Sequence, residues 1–236
     1  SGEAQQSQQS QPGLFRGYFR FAPDQRTILA QSVDWEVDAA SLPDPARVGV
    51  LYGPSHAEEV ALGRPTSVVA SFPDADVAAF VQALFMRPAL RVYANTDLVG
   101  VELAGALKNI YAIAGGVSAG LGFGDNTRSA LITRGLSEMS RLGELFGADR
   151  LTFQGLAGVG DLVATCSSTL SRNHTVGRHL SAGEPLEQIV ENLGMVAEGV
   201  NTTRAVHSFA LAHDVDMPIA AAVHRLLFEG ATPEVA

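Results

Sequence analysis

One lysine stands against fifteen arginines in this 236-residue chain, and it is Lys108. It lies within Gly105-Ala106-Leu107-Lys108-Asn109, inside a long apolar stretch from Val99 to Gly124. Leu103, Leu107, Ile110, Ala114 and Val117 recur there at helical spacing, which predicts a helix over Val99–Val117 with those residues on its buried stripe. Lys108 is then turned about 100° from Leu107, so that its stem packs while its amine reaches a cleft. Arginine stays charged, whereas a buried lysine can release its proton and act as a base. The plainer alternative is a snorkelling surface lysine. Its neighbours in sequence favour the base.

Three other stretches hold residue types suited to chemistry. Gly53-Pro54-Ser55-His56-Ala57-Glu58-Glu59 closes an apolar run. Ligands of α/β layers gather beyond the carboxyl ends of strands, and the amides of a helix start attract anions. The ordinary reading of this stretch is a strand-to-helix turn with Ser55 as the helix cap. Gly158-Val159-Gly160-Asp161-Leu162 leads to Thr165, and its aspartate is either a partner for a functional group or a helix cap. Ser171-Arg172-Asn173 sets a hydroxyl, a guanidinium and an amide side by side. That trio suits a phosphate, which takes several donors and a bidentate arginine, although a polar loop has the same composition. The six histidines (His56, His174, His179, His207, His213 and His224) form no HExxH, and Cys166 has no second cysteine beside it, so no metal is expected. His207, His213 and His224 read as partly buried or surface residues of helices. No GxSxG elbow marks a serine nucleophile.

The elements that must position these groups fall into two parts. Apolar residues make up 46% and charged residues 17%, a globular composition. A net charge of -9 and a pI near 5.1 argue against nucleic acid and anionic membranes as partners, so an anionic ligand must meet locally placed arginines and amides. A single cysteine excludes an intrachain disulfide and fits a reducing compartment; with no basic-then-apolar leader pattern at the start, the expected location is the cytoplasm. Asn109 to Gly124 is uncharged but short and glycine-rich, which predicts a buried helix, not a membrane span.

Residues 1–13 are a Ser/Gln-rich tail, read as disordered, and Leu14 to Ser41 has an aromatic strand pattern followed by a short helix or strand. Strands are then expected at Arg47–Tyr52, Thr66–Ala70 and Leu90–Ala94, with helices at His56–Leu62 and from an Asp74 cap to Phe85, which gives a parallel or mixed sheet. Beyond Asp97 only helices are expected: Val99–Val117, Asn126–Phe146, one starting near Asp161, Leu186–Leu193, Thr202–His213 and Pro218–Glu229. Pro218 opens the last and Gly230 closes it. The organisation is a tail (1–13), a partial α/β layer (14–96) and an all-helical domain (97–236), with the cleft between the last two as the default site.

These stretches together resemble the bacterial-type NAD(P)-dependent glycerol-3-phosphate dehydrogenases. The resemblance rests on GPSHAEEV at 53–60, on the run from Arg91 to Met139 with GALKN and GLGFGDN, on GLAGVGDLVATCSS at 155–168, on LSRNHTVG at 170–177 and on VAEGVNTT at 196–203. The related 6-phosphogluconate-type dehydrogenases place an asparagine four residues after the helix lysine; here that position is Ala112 and the asparagine is Asn109. The resemblance implies an incomplete Rossmann-like α/β layer followed by a larger all-α domain similar to the C-terminal domain of 6-phosphogluconate dehydrogenase. It implies Lys108 as the acid/base between glycerol 3-phosphate and dihydroxyacetone phosphate, with NAD or NADP as cofactor. Asn109 and Asp161 would orient Lys108 and the substrate hydroxyls. Ser171, Arg172 and Asn173 would hold the phosphate, with Gly53, Ser55 and Thr165 also at substrate-binding positions. Ala57, Arg172, Val196 and Glu198 fall on cofactor-contacting positions.

The family's glycine fingerprint, G-x-G-x-x-G, opens no strand-to-helix turn in this sequence, and neither does its second lysine occur. Two readings follow: an enzyme whose nucleotide-binding half is supplied or dispensed with, and a non-catalytic remnant that binds a phosphometabolite or serves assembly. Weak NADH and NADPH binding by this chain is expected, as is apolar strand surface around Val48, Val50 and Val68 that favours self-association, a homodimer included.

Overall fold

A computed structural model describes residues 19–21, 28–30, 47–193 and 197–233. The first two segments are strands β1 (Phe19–Phe21) and β2 (Ile28–Ala30), paired antiparallel with Phe19 opposite Ala30. Residues 1–18, 22–27 and 31–46, which take in the expected tail and most of the stretch from Leu14 to Ser41, lie outside the described residues.

The α/β layer is a three-stranded sheet, ordered β3 (Val50–Tyr52), β4 (Thr66–Ser71) and β5 (Leu90–Asn95). It is mixed: β4 and β5 run parallel, whereas β3 runs antiparallel to β4, with Val50 opposite Ser71 and Tyr52 opposite Val69. Helix α1 (Ala57–Ala61) follows β3, and α2 (Ala75–Phe85) crosses from β4 to β5. Asp74 caps α2 as expected, its carboxylate accepting from the amides of Asp76 and Val77 at 2.8 and 3.2 Å. Ser55 does not cap α1: its hydroxyl donates back to the Gly53 carbonyl at 3.1 Å, and His56 takes the cap position without a side-chain bond. The strand surface is not left bare either. Val48, Val50 and Val68 are all buried, Val68 under α2 with Ala78 and Val81, and Val50 against Val101 and Ala157. For Val50 the cover comes from the helical domain, through Val101 and Ala157, and for Val68 from the layer's own helix α2.

Past Asn95 the chain is helical: α3 (Leu98–Gly120), α4 (Asp125–Leu145), α5 (Arg150–Phe153), a π-helical turn (Leu156–Gly160), α6 (Asp161–Ser167), α7 (Arg172–Ser181), α8 (Leu186–Leu193), α9 (Glu198–Ala212) and α10 (Pro218–Phe228). Helix α3 is the axis. Leu103, Leu107, Ile110, Tyr111 and Ile113 on it are fully buried. It is also the one described helix long and apolar enough to cross a membrane, yet it is enclosed by α4, α6, α7, α9 and α10. Asp97 starts it by accepting from Gly100 N at 2.9 Å, and its second oxygen accepts from Asp149 N at 2.9 Å, tying the head of α5 to the head of α3. Helix α7 comes closest to α3 because glycines face backbone there: a side chain on Gly116 would strike the His174 carbonyl, and one on Gly177 the Ile113 carbonyl.

A buried carboxylate joins three helices on the other side of α3. Glu138 of α4 accepts from Tyr111 Oη of α3 at 3.1 Å and from the amides of Ile219 and Ala220 at 2.8 and 3.2 Å. Those amides are the unpaired donors of the first turn of α10, opened by Pro218, so the carboxylate caps that helix from outside. Burial pushes the Glu138 carboxyl above its ordinary range, against the pull of the two amides and of Tyr111.

Candidate active site

Lys108 lies midway along α3, at the level where Tyr52 at the end of β3 meets the helix. Its ammonium is paired with the carboxylate of Asp161, and the two side chains are only 16% and 4% exposed. Asp161 arrives there because the π-helical turn Leu156–Gly160 delivers it as the first residue of α6. Thr165, one turn later, directs its hydroxyl at the Asp161 carbonyl (2.7 Å) and at Asp161 Oδ1 (3.3 Å). Thr165 is buried, and it braces the aspartate. Burial pushes the Lys108 ammonium towards losing its proton; Tyr52 and the Asp161 carboxylate push the other way and win, so its pKa lies above the ordinary lysine value. The expectation that burial readies Lys108 to release a proton is therefore corrected: Tyr52 and Asp161 together outweigh desolvation, and the resting amine is charged.

Tyr52 was not singled out from sequence. Lys108 Nζ stands over its ring, 4.9 Å from the centroid, and its hydroxyl donates to the Gly105 carbonyl at 3.0 Å. Burial raises its phenol to about 12, with the neighbouring ammonium opposing, so it is neutral at ordinary pH. Cys166, also in α6, is sealed and its thiol is pushed up to about 12 by burial, which leaves it protonated and inert.

Asn109, next to the lysine, belongs to a chain of amides crossing three helices. Its Nδ2 donates to Glu198 Oε2 (3.4 Å), its Oδ1 accepts from Asn173 Nδ2 (3.0 Å), and Asn173 Oδ1 accepts from Gly199 N (2.9 Å). These bonds fix α7 and the start of α9 to the lysine helix. Asn173 and Asn109 thus spend their oxygens on the protein itself. The Ser171-Arg172-Asn173 run is the head of α7: Ser171 is buried and caps the helix by accepting from His174 N (3.3 Å). Arg172 is exposed at the first helical position and makes no ion pair or hydrogen bond among the described residues. The exposed guanidinium of Arg172 stands at the positive end of the α7 dipole, a setting that favours an anion.

The other expected residues are placed as follows. Gly53 is buried with φ +147°, which an L side chain rarely adopts, and a Cβ there would press on Val68 and Ser67. Ser55 is exposed beside it, and Ala57 is the exposed first residue of α1. Because β3 is antiparallel to β4, this turn does not share the carboxyl edge of β4 and β5. Val196 lies outside the described residues. Three histidine and carboxylate groups also approach one another across α9 and α10: His207, His224 and Glu229 have ligand atoms within 4.8 Å. The two imidazoles are stacked, 3.9 Å between centroids and 21° between planes, so their lone pairs run side by side and do not converge. His224 Nδ1 meets Glu229 at 2.9 Å at the end of α10, where a hydrogen bond alone accounts for the contact.

A sheet layer leading into a helical domain, with a buried lysine–carboxylate pair at the junction, is the layout expected of a two-part dehydrogenase. Residues 97–236 match the family model described as NAD-dependent glycerol-3-phosphate dehydrogenase C-terminus, and residues 30–78 match the corresponding N-terminus. The chain belongs to the NAD-dependent glycerol-3-phosphate dehydrogenase family. It is 50% identical over 210 residues to the glycerol-3-phosphate dehydrogenase [NAD(P)+] 1 of Salinibacter ruber, covering 89% of this chain and 61% of that protein. It is 56% identical over 184 residues to a glycerol-3-phosphate dehydrogenase [NAD(P)+] of Staphylococcus aureus, covering 78% of this chain and 55% of the relative. The crystal structure of the glycerol-3-phosphate dehydrogenase of Coxiella burnetii superposes with a TM-score of 0.75 at 43% identity, over 78% of this chain and 57% of that one. The chain thus spans rather more than half the length of these relatives.

Proposed function

We propose that this chain supplies the substrate-binding and proton-transferring part of a cytoplasmic glycerol-3-phosphate dehydrogenase, interconverting sn-glycerol 3-phosphate and dihydroxyacetone phosphate. The observation that carries this reading is the buried Lys108–Asp161 pair, tied through Asn109 and Asn173 to the head of α7, where Arg172 is exposed. Dihydroxyacetone phosphate offers a carbonyl and a phosphate a few bonds apart. Arg172 and Ser171 take the phosphate, with Asn173 and Asn109 holding the head of α7 against the lysine helix. Lys108 then gives its proton to the oxygen at C2 as that carbon is reduced to an alcohol. Asp161 keeps the ammonium oriented and takes it back as a charged partner when the reaction is run towards the ketone, where Lys108 must first lose its proton. Positioning and proton transfer are each worth orders of magnitude in rate.

A nicotinamide dinucleotide, NAD or NADP, supplies or accepts the hydride when bound. The residues here fit one side of it. His56 Nε2 is sealed without a hydrogen-bond partner next to the Gly53–Ser55 turn, which leaves polar capacity there for a bound group. Ala57 and Arg172, assigned to the cofactor by resemblance, are exposed, and Glu198 of α9 is half-buried. Val196 is assigned to that side from sequence alone.

The test is Lys108→Arg, with the chain joined to the nucleotide-binding half of a relative and NADH consumption followed with dihydroxyacetone phosphate. The charge and size are kept while the proton is withheld, so turnover should fall by about 10²–10⁴ with the fold intact. Near-normal turnover by the arginine protein refutes the assignment. Calorimetry of glycerol 3-phosphate with Arg172→Lys separates the phosphate role: loss of affinity for glycerol 3-phosphate but not for glycerol is expected.

A further inference from the structure

Gly105 poses a question that helix geometry does not answer. It is fully inside α3, one turn before Lys108, where glycine costs helix stability relative to alanine. The reason is steric: a Cβ at Gly105 would run into the ring of Tyr52. The helix gives up a side chain there so that the hydroxyl end of an aromatic ring from β3 can come close against it. The ring is fixed twice, by that contact and by its hydroxyl, which donates to the Gly105 carbonyl at 3.0 Å. What it covers is Lys108, whose Nζ stands over the ring 4.9 Å from its centroid. An ammonium in that position is held by the negative face of the aromatic system, most strongly where water is excluded.

We propose that Tyr52 is a positioning residue for Lys108: its ring, seated on Gly105, fixes where the proton-transferring nitrogen stands, so that β3 as well as α6 sets the geometry of the site. This rests on the acid/base reading of Lys108. The charged and titratable groups facing the ammonium are Asp161 and Cys166 from α6 and Tyr52 from β3, with Glu198 of α9 facing the phenol. Asp161 pairs with the ammonium directly; Tyr52 confines it from the strand side, without a charge of its own. The arrangement also links the two parts of the protein, because any shift of β3 relative to α3 moves the ring under the lysine.

The chain has one lysine, so carbon-13 labelling of lysine at the ε position gives one methylene signal in a nuclear magnetic resonance spectrum of the whole protein. Ring currents should displace the ε protons of Lys108 upfield of the free amino acid in the native chain and in Tyr52→Phe, which keeps the ring. In Tyr52→Leu, which keeps apolar cover, the displacement should vanish. In Gly105→Ala, which improves the helix but evicts the ring, it should vanish too. Acylation of the amine at neutral pH provides the chemical readout: about tenfold faster in Tyr52→Leu and Gly105→Ala, with Tyr52→Phe closer to the native rate than either. An undisplaced ε signal in the native chain overturns the proposal without recourse to any variant. Equal acylation rates in native protein, Tyr52→Leu and Gly105→Ala overturn it as well. Neither measurement needs turnover, so their failure leaves the role of Lys108 standing, and failure of the Lys108→Arg test leaves the ring contact standing.

Discussion

At the scale of single residues, the decisive quantity is the proton on Lys108. Its pKa is raised because Tyr52 and Asp161 outweigh desolvation, so at neutral pH the amine is a charged donor. In the proposed role, a donor already loaded would serve carbonyl reduction without preparation, and alcohol oxidation would wait for the small deprotonated fraction. In the assembled enzyme, kcat/KM for glycerol 3-phosphate oxidation should therefore climb by about tenfold per pH unit between roughly pH 7 and 9, while reduction stays flat or declines. A plateau in oxidation at neutral pH contradicts this. Asp161→Asn removes the charge that holds the proton; loss of a buried pair's partner is expected to cost about 3–5 kcal/mol of stability, unless the amine goes neutral to limit it. Urea unfolding combined with amine acylation reads both responses, and acylation should quicken.

Between elements, the contacts that matter are those made without side chains or by one shared carboxylate. Gly177→Ala puts a methyl against the Ile113 carbonyl and wedges α7 away from α3. A loss of about 1–3 kcal/mol in chemical denaturation is expected, with weaker phosphate binding since the wedge displaces Ser171 and Arg172. Glu138 offers a pH signature. Its folded pKa is raised, so its contribution to stability is complete below the ordinary glutamate value and is lost as pH rises through the folded value. Glu138→Gln removes this slope and sets an amide N–H against one helix amide, costing about 1–3 kcal/mol in acid. The gap between the two proteins should narrow from about pH 4 upward, measured by denaturation at several pH values.

How far these elements were legible differs from one to the next. Helices α3, α4 and α10 were read nearly to their ends, because long apolar periodicity and the Pro218 and Gly230 signals are local. Helix α7 was read as a polar stretch: it meets α3 through glycine and backbone, and Val176 and Leu180 alone are too short an apolar stripe to see. Helix α9 starts four residues before the expected Thr202, at Glu198, where Gly199 hides the pattern. The pairing of Lys108 with Asp161 came from family resemblance, since nothing local links residues 53 positions apart. Tyr52 had no such signal; a tyrosine ending a strand is ordinary until its ring is seen on Gly105.

Taken whole, the molecule divides its labour unevenly. The helical domain holds the buried Lys108–Asp161 pair and the head of α7 with its exposed Arg172, while the described part of the α/β layer contributes three strands and no glycine-rich phosphate turn. NADH affinity of this chain by itself should then be weak, with a dissociation constant well above micromolar in calorimetric titration; micromolar binding overturns that expectation. The lone lysine has one more consequence, for protease sensitivity. An endoprotease specific for lysine has a single bond to cut in these 236 residues, between Lys108 and Asn109, in the middle of the enclosed axis helix. Surface fraying and loop opening expose nothing to it, and cleavage demands that the axis itself come free. The rate at which two fragments accumulate is thus a clock for global opening, and it slows for anything that binds the closed form.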